Sequence, residues 1–275
     1  MTSKTSSTEF LRETGNVFHW QLRRTLPLAV LYAVLLLLAC PLFRFLGRQA
    51  FGMAESRSLD FAAFGTVLMA LLLPAMQGGY LFSRRQADLF HALPLRRNAL
   101  FCGNYLSGLV CLVAPLILAC GADASAALGR GQMNGYQVFK LLSLLGPLCL
   151  LAALTLAFFT LAAVCSGTYW EYAINSVLLT ICWPLFLQFF HHLAWSTIPG
   201  GMFHYDGPYL SAAGSPPLAV LILRGTYGSQ FPLWSFLWWI VFTVGLLVLG
   251  AAANRRRGSE NAGAPLPRSP LKSVL

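Results

Sequence analysis

Residues 26–43, 61–82, 99–120, 138–165, 173–195 and 231–253 form six apolar runs, each 18 residues or longer. A helix needs about 20 such residues to cross roughly 30 Å of hydrocarbon. Six runs of this length in 275 residues leave little chain for anything but a membrane bundle. Composition agrees: charged side chains make up 10% of the chain, where a soluble domain carries about 25%. Disordered, collagenous and disulfide-scaffold classes are thereby excluded. The expected fold class is an all-α membrane protein with six transmembrane helices. Pro74, Pro115, Pro147 and Pro184 fall inside four of the runs, and kinks are expected there because neighbouring helices can satisfy the freed carbonyls.

The net charge of +10 is spread over the ends of the runs rather than along one stripe, so it reads as a topology signal and not as nucleic-acid binding. With the N-terminus inside, Lys4, Arg12, Arg23, Arg24, Arg84, Arg85, Arg96, Arg97, Arg255, Arg256, Arg257, Arg268 and Lys272 are cytoplasmic. Only Arg44, Arg48, Arg57, Arg130, Lys140 and Arg224 are outside. Acidic residues divide almost evenly, and a bias confined to Lys and Arg fixes orientation. Both ends are expected to be cytoplasmic, although the fourth loop, around Glu171, carries no Lys or Arg.

The chain divides into a polar N-terminal segment (1–25), the membrane domain (26–253) and a cytoplasmic tail (254–275). The tail opens on the stop signal Arg255-Arg256-Arg257, is rich in Pro, Gly and Ser, and is expected to be disordered. In the first segment Phe10, Leu11, Val17, Phe18 and Leu22 recur near a 3.6-residue period. They predict an interfacial amphipathic helix lying among lipid headgroups. The acidic residues Glu9 and Glu13 argue against a cleaved signal peptide, and the lipoprotein-like Leu37-Leu38-Ala39-Cys40 follows too long a segment to be a lipidation box. Residues 196–230 are too long for a structureless connection. Within them the run 216–223 is too short to span and fits a re-entrant or surface helix.

No Cys pair forms a CxxC motif, and Cys102, Cys111 and Cys120 stand nine residues apart, which turns neighbours to opposite helix faces and gives no metal site. His191 and His192 are adjacent and have no acidic residue within a turn, a poor chelate. Lys140, opening the fourth run, is expected to snorkel outward. Asn104 and Asn175 lie inside apolar runs, where an amide seeks an interhelical partner.

The loop between the second and third runs, 83–97, is the most informative stretch. Ser83 with Gln86 three residues later makes a capping box, and Pro94 disfavours helical geometry at Leu93. The spacing predicts a short helix with Gln86, Leu89, Phe90 and Leu93 on one face and Arg85, Asp88 and Ala92 on its flanks. Such a peg can lie on lipid or dock in another protein's groove, with Leu89 and Phe90 as anchors.

The residues Arg85-Gln86-x-Asp88-Leu89-Phe90-His91-Ala92-Leu93-Pro94-Leu95-x-Arg97, followed by Phe101-x-x-Asn104-Tyr105-Leu106, resemble the first cytoplasmic loop of ABC type-2 transporter permeases of Gram-positive bacteria. The opening Met1-Thr2-Ser3-Lys4-Thr5-Ser6 and the exit Arg256-Arg257-x-Ser259-Glu260-x-Ala262-Gly263 are similar to the same group, so the resemblance covers nearly all of the chain. It implies that Arg85, Gln86, Asp88, Leu89, Phe90, His91 and Leu93 form the coupling helix that seats in a separate ATPase subunit. It also implies that the N-terminal amphipathic helix is the connecting helix. The implied protein is the membrane subunit of an exporter in the bacterial plasma membrane, paired with a second permease subunit. ATP and Mg would be bound by the partner ATPase, and no cofactor by this chain.

Motif content is in keeping with that division. No GxxxxGK[ST] phosphate loop, HExxH, GxSxG or carboxylate pair within a run is present. A secondary transporter is the alternative, but it usually keeps ionisable residues near the midplane, and the runs hold none there. A membrane enzyme or a nonconducting regulatory subunit completes the set.

Overall fold

The first run and the polar segment before it form one helix. In the computed structural model, which describes residues 2–47, 54–92, 96–129, 135–197, 214–222 and 233–257, helix α1 (Thr2–Gly47) continues without a break through residue 25. Thr14, Val17, Gln21, Thr25, Ala29, Tyr32, Leu36 and Ala39 are all buried, and their spacing of three and four residues makes one stripe along the whole helix. Periodicity alone assigns Val17 and Leu22 to the lipid headgroups. Instead Val17 is 5% exposed and Leu22 packs against the main core, whereas Leu11 is 67% exposed. The polar members of the stripe bury because their hydroxyls bond backward along the helix: Thr14 Oγ1 donates to Phe10 O at 2.8 Å and Thr25 Oγ1 to Gln21 O at 2.8 Å.

The stripe of α1 packs chiefly on α5 (Arg97–Gly129), which turns Gly103, Ser107 and Cys111 toward the interior. Small residues every fourth position let two backbones approach closely. A Cβ on Gly103 would lie 2.7 Å from Val17 Cγ1 and 3.1 Å from the Thr14 carbonyl oxygen. Further along, Cys111 Sγ is 3.3 Å from Thr25 Oγ1.

The second run, a single span by its hydropathy, divides into α2 (Ala54–Gln77) and a short α3 (Gly79–Phe82). Pro74 lies one turn before the break, and Gly78 donates its N–H to the Pro74 carbonyl at 2.8 Å while accepting from Leu81 N at 2.8 Å. A Cβ on Gly78 would meet the Pro74 carbonyl oxygen at 2.6 Å, so only glycine fits this turn. After Ser83 the chain enters α4 (Arg84–Ala92). Next in order are α5, α6 (Gly135–Cys165), α7 (Tyr169–Thr197), α8 (Pro216–Ile222) and α9 (Leu233–Arg256). Among the described residues every regular element is a helix.

Helices α5 and α6 form the middle of the bundle, with α1 and α2 on one side and α9 on the other. Leu112, Leu116, Leu151, Leu154 and Leu156 are at most 1% exposed there. Helix α8 coincides with the expected short run. It packs into the bundle against α6 and α2, with Ala219 and Val220 buried and Ser215 Oγ donating to Thr180 O at 2.8 Å.

Among the described residues, stretches of five helices are long and apolar enough to cross a membrane: Thr8–Ala39, Arg97–Ala122, Leu145–Cys165, Tyr169–Leu193 and Phe236–Arg256. The chain is in this sense a multi-pass membrane protein. Among the described residues the apolar part of α2, Phe61–Gln77, is shorter, and the helix ends at Gln77.

Candidate functional site at the polar end of the bundle

One end of the bundle collects the N-terminal part of α1, the α3–α4 segment, the start of α5, the turn from α6 to α7 and the end of α9. A buried apolar cluster that includes Val17, Tyr80, Phe82, Phe101 and Tyr172 joins them, and polar contacts surround it. Arg96 N donates to Glu13 Oε2 at 3.3 Å, and the Arg96 guanidinium lies 3.5 Å from Glu9. Both carboxylates thus sit at the N-terminus of α5, where the helix dipole favours them. This ion pair is exposed and contributes at most about 1 kcal/mol.

Helix α4 rises from this end. Ser83 is extended (φ −127°, ψ 120°) and its carbonyl accepts from Ala87 N at 2.9 Å. Ala87 is 2% exposed. Phe90, one turn further, packs its ring at a tilt against Tyr80 of α3 (centroids 4.8 Å apart) and Trp20 of α1 (5.9 Å). The helix thereby turns Ala87 and Phe90 inward, while Arg84, Arg85, Gln86, Asp88 and Leu89 are exposed. The expected grouping of Leu89 with Phe90 on one outward face is therefore divided: Leu89 is 65% exposed and Phe90 is half-buried. The reason lies in the 100° step between neighbours and in the aromatic floor, which takes up the ring of Phe90. His91 lies in α4, but its side chain is outside the described residues, and Leu93 lies wholly outside them.

Beneath α4 the arginines of α5 and α9 are fastened to backbone. Arg97 Nη1 donates to the carbonyls of Arg255 (3.1 Å) and Arg257 (2.8 Å), which places a cation on the last turn of α9. Arg255 Nε donates to Asn98 Oδ1 at 2.7 Å, and Asn254 Nδ2 to Arg97 O at 3.3 Å. Arg257 reaches furthest: Nη1 donates to the carbonyls of Ala163 (3.3 Å) and Val164, and Nη2 to Leu81 O at 2.7 Å. Burial pulls this guanidinium below its usual pKa, with Tyr80, Cys165 and Glu171 opposing the shift. An arginine so placed keeps its proton.

The turn from α6 to α7 belongs to the same end. Thr168 Oγ1 accepts from Glu171 N at 3.2 Å, and Glu171 Oε2 accepts from Thr168 N (3.2 Å) and Gly167 N (2.8 Å). This reciprocal pair is a capping box, and Thr-x-x-Glu was its legible signal. Phe82 lies 4.5 Å from Tyr169 and 5.9 Å from Tyr172 between ring centroids, which extends the aromatic floor under α3.

A polar seam descends from this end into the bundle. Gln21 Nε2 donates to Gln77 O at 3.3 Å. The Gln77 amide satisfies both of its ends with its nitrogen 2.9 Å from the Asn104 carbonyl oxygen and its oxygen 3.2 Å from Gly108 N and 3.1 Å from Ser107 Oγ. Asn104 itself is 8% exposed, and among the described residues its Oδ1 has no hydrogen-bond partner. It borders a cavity of about 20 Å³ shared with Gln77, Tyr80 and Thr160, room for about one water. Asn175, expected to find a partner on another helix, instead bonds the turn that precedes its own: its Nδ2 donates to Ser166 Oγ at 3.0 Å.

Of the residues singled out in the sequence, the structure brings Val17 and Asn104 to α5 or its neighbours, Phe90 to the aromatic floor and Asn175 to the turn before α7. It leaves Arg85, Gln86, Asp88, Leu89 and Leu11 facing outward, with Phe10 and Phe18 half-buried. Reasoning from sequence missed Trp20, Tyr80, Gln77 and Arg257. The arginine triplet of the stop signal hides one residue with a different task. Among the described residues no group of three or more His, Cys, Asp and Glu side chains comes together to hold a metal. Compared with family models and with curated proteins, the chain matches none.

Proposed function

We propose that this chain is the membrane permease subunit of an ATP-driven exporter in the bacterial plasma membrane, and that α4 is the coupling helix through which a separate ATP-hydrolysing subunit moves the bundle. The observation that carries the reading is α4 itself. A nine-residue helix is rooted on aromatic rings through Phe90 and Ala87 and presents Leu89 outward between Arg85 and Asp88. A lone exposed Leu among charges is suited to a small apolar pocket with a charged rim. Leu89 is accordingly the anchor toward the partner, and Phe90 is the residue that holds the helix in place.

The grouping of Arg96, Arg97, Arg255 and Arg257 at this end supports a cytoplasmic location for α4 and both termini. The sixth span in this reading is α2, with the N-terminal part of α1, where Leu11 and Arg12 are exposed, serving as the connecting helix at the lipid surface. Two such subunits would enclose the path, with ATP and Mg bound by the ATPase. The resemblance of residues 85–97 to the loop of ABC type-2 permeases adds to the case.

The test is recovery of the tagged full chain from its native membrane, with ATP hydrolysis by the recovered material measured. The wild type is expected to bring with it an ATPase that contains a phosphate loop, and Leu89→Asp to lose it while inserting normally. Full retention of the ATPase by the Leu89→Asp variant refutes the assignment.

A further inference from the structure

We infer that Arg257 is the positioning residue that fastens the root of α4 to the ends of α5, α6 and α9, so that α4 cannot be displaced without carrying those helices. The inference deepens the coupling reading and rests on it for its mechanical consequence, though the anchor itself stands on geometry alone.

The last carbonyls of a helix have no intrahelical donor and need one from elsewhere. At the end of α6, Ala162 O accepts from Ser166 Oγ at 2.7 Å, and Ala163 O accepts from Ser166 N at 3.3 Å. The carbonyls of Ala163 and Val164 also accept from one nitrogen of Arg257, and the other nitrogen bonds Leu81 O in α3. One planar fork thus closes two helix ends that are 82 residues apart in sequence (81 against 163), a task a lysine's single ammonium performs poorly. Leu81 stands two residues before Ser83, the residue that immediately precedes α4.

Arg257 is itself held from the other side. Its N–H donates to Ala253 O at 3.1 Å, and its carbonyl accepts from Arg97 Nη1 at 2.8 Å. The path from α4 is therefore continuous: Ser83, Leu81 O, the Arg257 guanidinium, then α6 through Ala163 and Val164, and α5 through Arg97. The rings of Phe90 and Trp20 steady the free end of α4, and they meet this path only at Tyr80, the chain neighbour of Leu81. Force applied at Leu89 is delivered to α6 and α9 by the arginine, and to α1 by the rings.

Hydrogen exchange of the full chain in detergent, read over residues 79–92, tests the anchor without any partner. Arg257→Gln is expected to speed exchange in this segment about tenfold while α1 and α2 keep their protection, since local opening exposes only amides whose anchor is lost. Arg257→Lys should restore part of the protection, and Arg97→Gln, which frees the carbonyls of Arg255 and Arg257 but leaves the Arg257 guanidinium in place, should fall between Arg257→Lys and wild type. Unchanged protection of 79–92 in the Arg257→Gln variant overturns the inference. Should that variant fail to fold, wild-type protection in both Arg257→Lys and Arg97→Gln overturns it, and graded loss upholds it. Failure of the anchor and failure of the coupling reading remain separable: recovery of the ATPase through Leu89 bears only on the second, and exchange at 79–92 only on the first.

Discussion

Helices α6 and α7 follow one another through a three-residue turn, Ser166 to Thr168, and both are apolar enough to cross a membrane. Yet 67% of the most apolar stretch of α6 is buried in the protein, against 6% of that of α7. The difference lies in shape rather than hydropathy. Toward its neighbours α6 presents Ala152, Ala157, Ala162 and Ala163 between its leucines, and all four are at most 1% exposed. Small residues of this kind let other helices close around it. In α7 the corresponding surface is Ile174, Val177, Leu178, Ile181, Trp183, Leu185 and Phe186, all exposed. Bulky side chains on every side resist close packing but suit contact with lipid tails. Apolarity therefore places a helix in the membrane, and the distribution of small residues decides whether it stands at the centre or the rim.

Leu154→Ala in α6 gives the largest expected effect. The side chain is 1% exposed in the main core, and truncation there should cost about 2–5 kcal/mol of unfolding free energy, the transfer and cavity terms together. Unfolding in mixed micelles measures it. A loss under about 1 kcal/mol would mean that the site collapses freely and that α6 is not the packed centre.

Tyr172→Phe has an intermediate effect. Its hydroxyl donates to Leu71 O at 2.6 Å, and this bond, the stacking on Phe82 and the Asn175–Ser166 contact fasten α7 near its start. Removing the hydroxyl should cost about 1 kcal/mol. Hydrogen exchange should rise in the first turns of α7 while α6 is unaffected. Equal loosening of both helices would erase the contrast between them.

The same contrast separates what the sequence made legible from what it did not. Run length located five of the six expected spans, and Ser83 located the start of α4, because these signals are local. Helix α8 was likewise visible as an apolar run too short to span. Continuity of α1 was not visible, since Thr14, Gln21 and Thr25 read as polar until their backbone partners and the small residues of α5 are known. The break at Gly78 depends on Pro74 one turn earlier and on the burial of Gln77, a combination that a hydropathy average removes. Nothing local marks Arg257 apart from Arg255 and Arg256. Its role depends on carbonyls of α3 and α6, far away in sequence. The exposure of Leu89 against the burial of Phe90 was set by Tyr80 and Trp20, which no periodicity within α4 reveals.

The smallest effect is expected from Leu178→Ala in α7, the same chemical change as at Leu154 made on a residue that is 59% exposed. In water such a surface truncation would reduce an apolar patch. In a bilayer the lipid tails are as apolar as leucine, so they fill the vacated volume and no cavity forms. The unfolding free energy should therefore shift by no more than about 0.5 kcal/mol, several-fold less than for Leu154→Ala under identical conditions. Tryptophan fluorescence gives an independent reading: Trp170 and Trp183 of α7 should be quenched by brominated lipid tails, and Trp239, 7% exposed in α9, should be shielded. A loss above about 1.5 kcal/mol at Leu178 would place packed protein rather than fluid lipid against this face. Were that loss also to depend on protein concentration, the covering surface would be a second polypeptide, since only association makes stability concentration-dependent.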